Sequence, residues 1–262
     1  MANMEFLDQN GLNTTTMVFV NNGTDTAQYL FDRDLSTKFQ SSGDNSDATT
    51  TTIRIDFGTP QNLSRIVLQT LNFKGFKVYY NSNSANLITP LNADTSSSWW
   101  SGNSDTSKYL MFSTISSVDS IFIEATTTIS ANEEKQLSQF WITDKRLVLT
   151  DNPTAKDYKP LKKPKQFIHR MSDGGSAVYT IDDKFNTSIK MDYVSTAVHD
   201  LIEGLYDDWN PIVFTPFPTG TSWDGKKIYE VNYIGNFEFD QYQHDFKGLG
   251  FKGKIKLEET PN

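Results

Sequence analysis

Two aspartates spaced two positions apart, Asp32 and Asp34, are the side chains of this sequence best suited to hold a cation. Hard cations such as calcium take several oxygen ligands from carboxylates and carbonyls. The same two carboxylates can instead cap a turn by accepting hydrogen bonds from backbone amides of their own segment. The sequence therefore supports two interpretations, a structural calcium site or a self-capped turn, and it predicts no other cofactor.

Two adjacent tryptophans, Trp99 and Trp100, are the residues best suited to bind a sugar. They lie in a segment rich in Ser, Asn, Asp and Gly. An indole ring can stack on the face of a sugar while nearby polar groups bond its hydroxyls. Because large aromatic side chains are mostly buried, the alternative is that one of the two closes the end of a hydrophobic core.

The pattern of acid–base and nucleophilic residues predicts that the chain is not an enzyme. The three histidines, His169, His199 and His244, are scattered and lack metal-ligand spacing. Acidic pairs such as Asp182 and Asp183 are adjacent, so in a strand they point to opposite faces and do not form the facing pair that glycoside hydrolysis needs. The absence of cysteine excludes thiolate catalysis and disulfides.

The composition restricts the partners of the protein. The chain has 262 residues and a formal net charge of −8 at pH 7. This charge disfavours nucleic acid as a partner, because phosphate contacts need clustered Lys and Arg. No apolar run approaches the roughly 20 residues that span a bilayer, and the first residues lack the basic and apolar regions of a secretory signal. We therefore expect no membrane insertion and folding in a cytoplasm.

The first half of the chain has the pattern of an all-β domain. Apolar residues alternate with polar ones over 49–57, which is the period of a half-buried strand, and a turn follows at 58–60. Short strands with turn signals between them are typical of a sandwich or barrel. The further predicted strands are 63–71, 75–80, 109–115, 120–125 and 137–142.

The segment 148–166 separates the two halves and is rich in proline and lysine. Proline fixes φ and removes a donor, so this segment is predicted to be an extended linker. Its lysines are either a solvated charge run or an arm that contacts a neighbouring subunit. The lysines of this candidate contact arm are Lys159, Lys162, Lys163 and Lys165.

The second half, 167–262, has a mixed pattern. Residues 185–194 alternate as a strand, and a helix is predicted over 195–209, with Ser195 as its N-cap. Further strands follow Pro211, and together they predict antiparallel β structure packed against one helix. The apolar stripe of that helix comprises Val198, Leu201, Ile202, Leu205, Tyr206 and Trp209.

The first half, 1–147, resembles the discoidin, or coagulation-factor C-type, family of galactose-binding-like domains. The resemblance rests on the turn Phe-Asp-Arg-Asp-Leu-Ser-Thr-Lys-Phe at 31–39 and on the strands at 53–58, 63–68, 120–125 and 137–142. It implies a jelly-roll β-sandwich. The family usually has tryptophan at the position of Phe39, and its ligand loops are not recognisable here.

The second half looks like the tail-tube and baseplate family of tailed phages and related injection machines. The matching pieces are the strand 185–194, the helix, the segments 211–214 and 223–231, and the closing strand 253–259. The resemblance implies an antiparallel β domain flanked by one helix that assembles into rings around a channel.

Together, the two resemblances predict a structural protein of a phage tail or baseplate. Its partners would be further copies of itself in a ring, other tail or baseplate proteins, and host surface glycans. It would be located in the virion, after assembly in the bacterial host cytoplasm. The alternative is a carbohydrate-binding accessory protein, a discoidin-like lectin with a β-rich companion domain; a third reading is an inert spacer.

Overall fold

A computed structural model shows that the chain is mainly β, with one α-helix. It describes residues 4–7, 17–21, 24–32, 34–42, 46–82, 84–89, 101–149, 153, 157–171, 174–207, 211–216, 228–244 and 248–260. The described strands are β1 (Glu5–Leu7), β2 (Met17–Val20), β3 (Phe39–Gln40), β4 (Thr51–Gln69), β5 (Phe73–Tyr80), β6 (Ser107–Thr128), β7 (Gln136–Leu137), β8 (Gln139–Thr143), β9 (Lys145–Val148), β10 (Tyr158–Arg170), β11 (Ser176–Val194), β12 (Ile212–Thr215), β13 (Tyr229–Tyr233), β14 (Phe239–His244) and β15 (Gly248–Glu259). The helices are a 3-10 helix, Thr24–Leu30, and α1, Thr196–Asp207. No helix in the described part of the chain has the length and apolarity needed to cross a bilayer. The predicted fold class is confirmed.

The chain folds into two compact units. Within the described residues, the first unit is Leu7–Lys145, and the second combines Asn3–Phe6, Arg146–Pro216 and Ile228–Asn262. Among the described residues, the chain therefore runs from Met4 in the second unit through the first unit and back to the second. The predicted division into 1–147, the linker 148–166 and 167–262 stays a prediction.

The first unit is a sandwich made by two long bent strands. One half of β4 pairs with β2 and β6, and the other half pairs with β6 and β8, with register shifts between Asp56 and Arg65. Ile53 and Ile55 of the first half and Ile66 and Leu68 of the second belong to the same buried cluster. Because both halves cover one core, the bent pair contributes to both layers, as strands do when they change sheets at a bulge.

The alternation that predicted the strand at 49–57 is correct, but the predicted turn at 58–60 does not end that strand. Ile53, Ile55 and Phe57 are buried, as period 2 requires. The strand β4 continues through Gly58 and Pro60 to Gln69. The pairing of β4 with β6 is interrupted between Asp56 and Gln61. Glycine and proline are therefore accommodated there, because no backbone hydrogen bond to β6 is lost.

The second unit is built on an eight-stranded sheet with the order β10-β11-β15-β13-β12-β1-β9, and β14 pairs with β15. Its core is aromatic. Phe214 of β12 is fully buried, and its ring lies 5.2 Å from that of Phe6 and 6.2 Å from that of Phe185, measured between centroids. The three-residue strand β1 thus brings a core side chain to the second unit from the start of the chain.

Part of the segment predicted to be a linker is a strand. The strand β10 begins at Tyr158 and pairs with β11 as far as Arg170. Prolines are tolerated because β10 lies at the edge of the sheet, where one side of the backbone needs no partner. Gly174 lies in the turn that closes this hairpin, with a φ of 84°, which suits glycine.

The helix α1 lies within the predicted helix 195–209, whose last stripe residue, Trp209, is outside the described residues. Ile202 and Leu205 are buried, and Val198 and Tyr206 are partly buried. Leu201, predicted to belong to the apolar stripe, is 44% exposed, so that assignment was wrong. The stripe is narrower than the run of apolar residues, and Leu201 lies at its flank, beyond the reach of the sheet.

Candidate functional site

The turn that contains Asp32 and Asp34 is held by its own carboxylates. The Asp32 carboxylate accepts hydrogen bonds from the Asp34 amide (2.9 Å) and the Thr37 hydroxyl (2.5 Å). It also accepts one from the Gln139 side-chain amide (2.8 Å). The Asp34 carboxylate accepts bonds from the Ser36 hydroxyl (2.7 Å) and amide (2.8 Å), and these lower the pKa of Asp34. The geometry favours the capping interpretation, and calcium binding stays a prediction.

The loop that carries Trp99 and Trp100 is anchored where it re-enters the described part of the chain. The two tryptophans themselves lie outside the described residues. Asn103, which is buried, donates from its side-chain amide to the carbonyls of Phe73 (2.7 Å) and Asp105 (2.8 Å). The bond to Phe73, with one from the Asn103 backbone amide to the Lys74 carbonyl (3.0 Å), fixes the segment that follows the tryptophans to the start of β5.

A buried lysine that no sequence pattern singled out holds another loop of the first unit. Lys135 is fully buried, and its Nζ donates to the carbonyls of Ser46 (2.7 Å) and Thr49 (3.0 Å). In the same loop, the Asp47 carboxylate accepts bonds from the hydroxyl (3.0 Å) and amide (3.1 Å) of Thr128. Burial acts to raise the pKa of Asp47, but these bonds and the charge of Lys135 lower it overall. An ammonium group thus occupies the point where two loop carbonyls converge.

The solvent side of α1 is acidic. Asp200, Glu203 and Asp207 are exposed, and Thr196–Asp207 contains no Lys or Arg. Spaced at i, i+3 and i+7, they form one row along the helix, which we call the acidic row. The exposed Leu201 lies beside this row.

A histidine at the start of α1 is packed instead of free. The His199 ring stacks on Phe251 with the centroids 3.9 Å apart, and its Nδ1 lies 3.1 Å from Asp200 Oδ1. Ligand atoms of His199, Asp200 and Glu203 lie within 4.8 Å of one another, so these residues are the described group that could hold a metal ion. The sequence pattern had not indicated a ligand role for His199.

One face of the sheet in the second unit, which we call the lysine face, carries five exposed lysines among the side chains that the structure describes. Lys190 lies directly opposite Lys254, and Lys256 lies opposite Ser188, which lies opposite Lys159. Paired residues in antiparallel register project from the same face, and like charges placed opposite one another destabilise the pair. The five lysines are Lys159 of β10, Lys190 of β11, and Lys252, Lys254 and Lys256 of β15.

Acidic groups compensate this charge at one end of the lysine face. Lys190 donates a hydrogen bond to Asp192 (2.7 Å), and this bond, with the charge of Asp192, raises the pKa of Lys190. Lys252 Nζ lies 3.9 Å from Asp240. These groups, Lys254 and a third carboxylate, Glu238, line a polar cleft of about 650 Å³. Among the described residues, Lys254 has no acidic partner within ion-pair distance, so positive charge remains at the middle of the face.

The strands β10 and β11 extend past the rest of the sheet as a two-stranded arm, 166–180. Here β11 has no described partner except β10, because its pairing with β15 begins at Asn186. Ile168 and Val178 are register partners in this arm and are 61% and 53% exposed. Met171, at the tip, is also exposed. The arm presents apolar side chains that its own unit does not cover.

The predicted contact arm of lysines maps onto β10. Lys159 is exposed and belongs to the lysine face. The side chains of the other three lie outside the described residues, although their backbone pairs with β11: Lys162, Lys163 and Lys165. A contact role for these three stays a prediction.

No protein-family model and no curated protein matches the chain. Among solved structures, it is similar to chitosan-binding module 1 of a chitosanase/glucanase from Paenibacillus sp. IK-5, with 12% identity, a TM-score of 0.41, and coverage of 52% of this chain and 98% of that one. It is also similar to the family 32 carbohydrate-binding module of Clostridium perfringens NanJ in complex with galactose, with 15% identity, a TM-score of 0.40, and coverage of 54% and 99%. A Ruminococcus gnavus GH29 fucosidase matches with 13% identity, a TM-score of 0.39, and coverage of 52% and 26%. At these identities and TM-scores, the similarities do not assign a ligand or an activity to this chain. The resemblance of the second half to tail-tube proteins stays a prediction.

Proposed function

We propose that this protein is a non-catalytic binding protein whose first unit holds a carbohydrate through the loop that carries Trp99 and Trp100. The observation that carries the proposal is the buried Asn103, whose side-chain amide and backbone amide donate to the carbonyls of Phe73 (2.7 Å) and Lys74 (3.0 Å) and so hold the segment that follows the tryptophans. Because the segment from residue 101 onward is held in place, ordering it on binding costs less conformational entropy. The acidic charge of the chain suits a neutral or basic sugar polymer better than an anionic one.

Replacing both tryptophans, in a Trp99→Ala/Trp100→Ala variant of the full chain, should weaken carbohydrate binding. We expect the affinity to fall by about tenfold or more, because each lost stacking contact contributes about 0.5–1.5 kcal/mol beyond its buried area. An oligosaccharide array identifies the ligand, and titration calorimetry measures the change. Leu35→Ala, at an exposed apolar position of the same unit, is the control.

Two results would contradict this proposal. One is a wild-type chain that binds no oligosaccharide of the array. The other is a double variant that binds as the wild type does. If one tryptophan instead closes the core, the double variant should lose thermal stability by circular dichroism, since emptying a core site costs several kcal/mol.

A second candidate function, a self-assembling structural protein of a phage tail or baseplate, is favoured by the arm 166–180. An isolated two-stranded ribbon is marginal in water, and exposed apolar side chains on it are suited to a partner surface. Identical chains joined by heterologous contacts form rings when the rotation closes. In this role, the partners would be further copies and other tail proteins, and the first unit would contact host glycans.

An Ile168→Ser/Val178→Ser variant should weaken self-association by about tenfold, because it removes a pair of apolar side chains at the contact. Sedimentation equilibrium of the full chain measures the change. Leu249→Ser, at an equally exposed leucine of the second unit, is the matched control and should associate as the wild type does. A wild-type chain that is monomeric at all concentrations measured would exclude the assembly role.

A further inference from the structure

We propose that the helix α1 of one copy docks on the lysine face of a second copy, so that identical chains join head to tail. This proposal rests on the assembly role proposed above and identifies the two surfaces that would join the copies. It does not depend on carbohydrate binding by the first unit.

Opposite charges favour this pairing. The acidic row, Asp200, Glu203 and Asp207, is exposed, and the helix itself contains no Lys or Arg; Arg146 of β9 donates to the carbonyl of Gly204 beside the row (3.2 Å). The lysine face carries five exposed lysines and leaves Lys254 without an acidic partner among the described residues. A partner carboxylate placed between Lys190 and Lys254 would also relieve the repulsion of these directly opposed charges.

The dimensions of the two surfaces agree. At 1.5 Å per residue, the acidic row is about 10 Å long from its first to its last carboxylate position. Alternate residues of a strand are about 7 Å apart, so the lysines of β15 span about 13 Å from Lys252 to Lys256. A helix of the width of α1 also covers two neighbouring strands, which places β11 and β15 under one helix.

The two surfaces lie on opposite sides of one sheet. His199 stacks on Phe251 of β15, and the Tyr206 ring lies 5.0 Å from that of Tyr233, which pairs with Leu257. The helix therefore packs on the side of the odd-numbered residues of β15, whereas Lys254 and its neighbours project from the other side. A helix cannot reach the lysine face of its own chain, so the contact must join two copies and is heterologous.

Each surface also carries an exposed leucine. Leu201 beside the acidic row is 44% exposed, and Leu161 on β10, two residues from Lys159, is 54% exposed. Surface ion pairs alone contribute little to affinity, but they set orientation and partner choice. The leucines supply apolar area at the contact, and the charges determine which surfaces meet.

Charge reversal tests the contact in the full chain. Glu203→Lys and Lys254→Glu should each weaken self-association by about fivefold or more, because each places like charges across the contact. An equimolar mixture of the two variants should regain wild-type association, since every contact between unlike copies then pairs opposite charges. Both positions are exposed, so neither change should affect folding. Glu133→Lys, the same charge change at an exposed position of the first unit, is the matched control.

Sedimentation equilibrium at low and high salt distinguishes the outcomes. Recovery in the mixture, together with loss of wild-type association at high salt, would support the contact. If the arm variant weakens association but both charge variants associate as the wild type does, the assembly role stands and this contact is wrong. Failure of the mixture to recover would also overturn it. A wild-type chain that never associates removes the assembly role and the contact together.

Discussion

Replacing Phe214 with alanine should lower the free energy of unfolding of the second unit by about 4 kcal/mol. The side chain is fully buried, and its ring contacts aromatic rings from three other strands. Those rings belong to Phe6, Tyr158 and Phe185, with centroid distances of 5.2, 6.5 and 6.2 Å. Removing it empties a site that four strands enclose, and strands held in a hydrogen-bonded sheet collapse only partly into the cavity.

Urea unfolding followed by circular dichroism and by tryptophan fluorescence measures this loss. Chains with two compact units need not unfold in one transition, so the change should appear in the transition of the second unit. Leu249→Ala, at an exposed leucine of the same sheet, should change stability by less than about 0.5 kcal/mol. A Phe214→Ala variant as stable as this control would show that the aromatic cluster is not the core of the second unit.

Replacing Lys135 with methionine should destabilise the first unit by about 3 kcal/mol, even though methionine is of similar length and apolar. The ammonium group bonds the carbonyls of Ser46 and Thr49, and a buried group left without its partner costs about 1–3 kcal/mol. The two carbonyls would have to reach water, which requires the loop to open. Chemical denaturation measures the loss, and Lys38→Met, at an exposed lysine of the same unit, is the control.

The same variant should be more sensitive to acid. The pKa of Asp47 is lowered in the folded chain, so its contribution to stability is present above the ordinary Asp pKa and is lost as pH falls through the folded pKa. The charge of Lys135 is one cause of that lowered pKa. Without it, the folded pKa moves upward, and stability should begin to fall at a higher pH. Equal acid transitions in the two proteins would contradict a role for Lys135 at this loop.

The fold class could be predicted because it depends on local patterns. Period-2 alternation at Ile53 and Ile55 and helical spacing at Ile202 and Leu205 each reflect one buried face, which a short window of sequence contains. The assignment of Leu201 to the buried stripe was wrong because it rested on such a local pattern alone. Helical spacing shows which residues lie near a face, but the width of the partner surface decides which of them it covers.

The buried cation could not be predicted from sequence. Lys135 follows Glu133 and Glu134, a charge run that reads as solvated. Its partners at Ser46 and Thr49 are nearly 90 positions away along the chain, 89 and 86 residues respectively, so no local pattern links them. The lysine face could not be predicted from sequence either, because only the strand register places Lys159, Lys190 and Lys254 on one face.

The two sugar-site candidates lie outside what the structure describes, so Trp99 and Trp100 stay predictions from sequence. The structure adds the buried Asn103, which holds the segment that follows the tryptophans by a bond to the Phe73 carbonyl. An Asn in a polar loop gives no signal of burial, since most asparagines are exposed. Its role appears only from its two bonds to backbone carbonyls.

The position of β1 in the sheet of the second unit has a consequence for biosynthesis. Its neighbour β12, Ile212–Thr215, leaves the ribosome more than 200 residues after Glu5–Leu7. All described strands of the first unit have been made by Thr143, and β9, the other neighbour of β1, follows at Lys145–Val148, so the first unit can fold and β1 can pair on one side before β12 arrives to cover Phe6. Closing so long a loop adds little entropy cost, because the cost grows only with the logarithm of length. Synthesis speed and chaperone capture of the waiting Phe6 should therefore affect the yield of native chain more than its final stability.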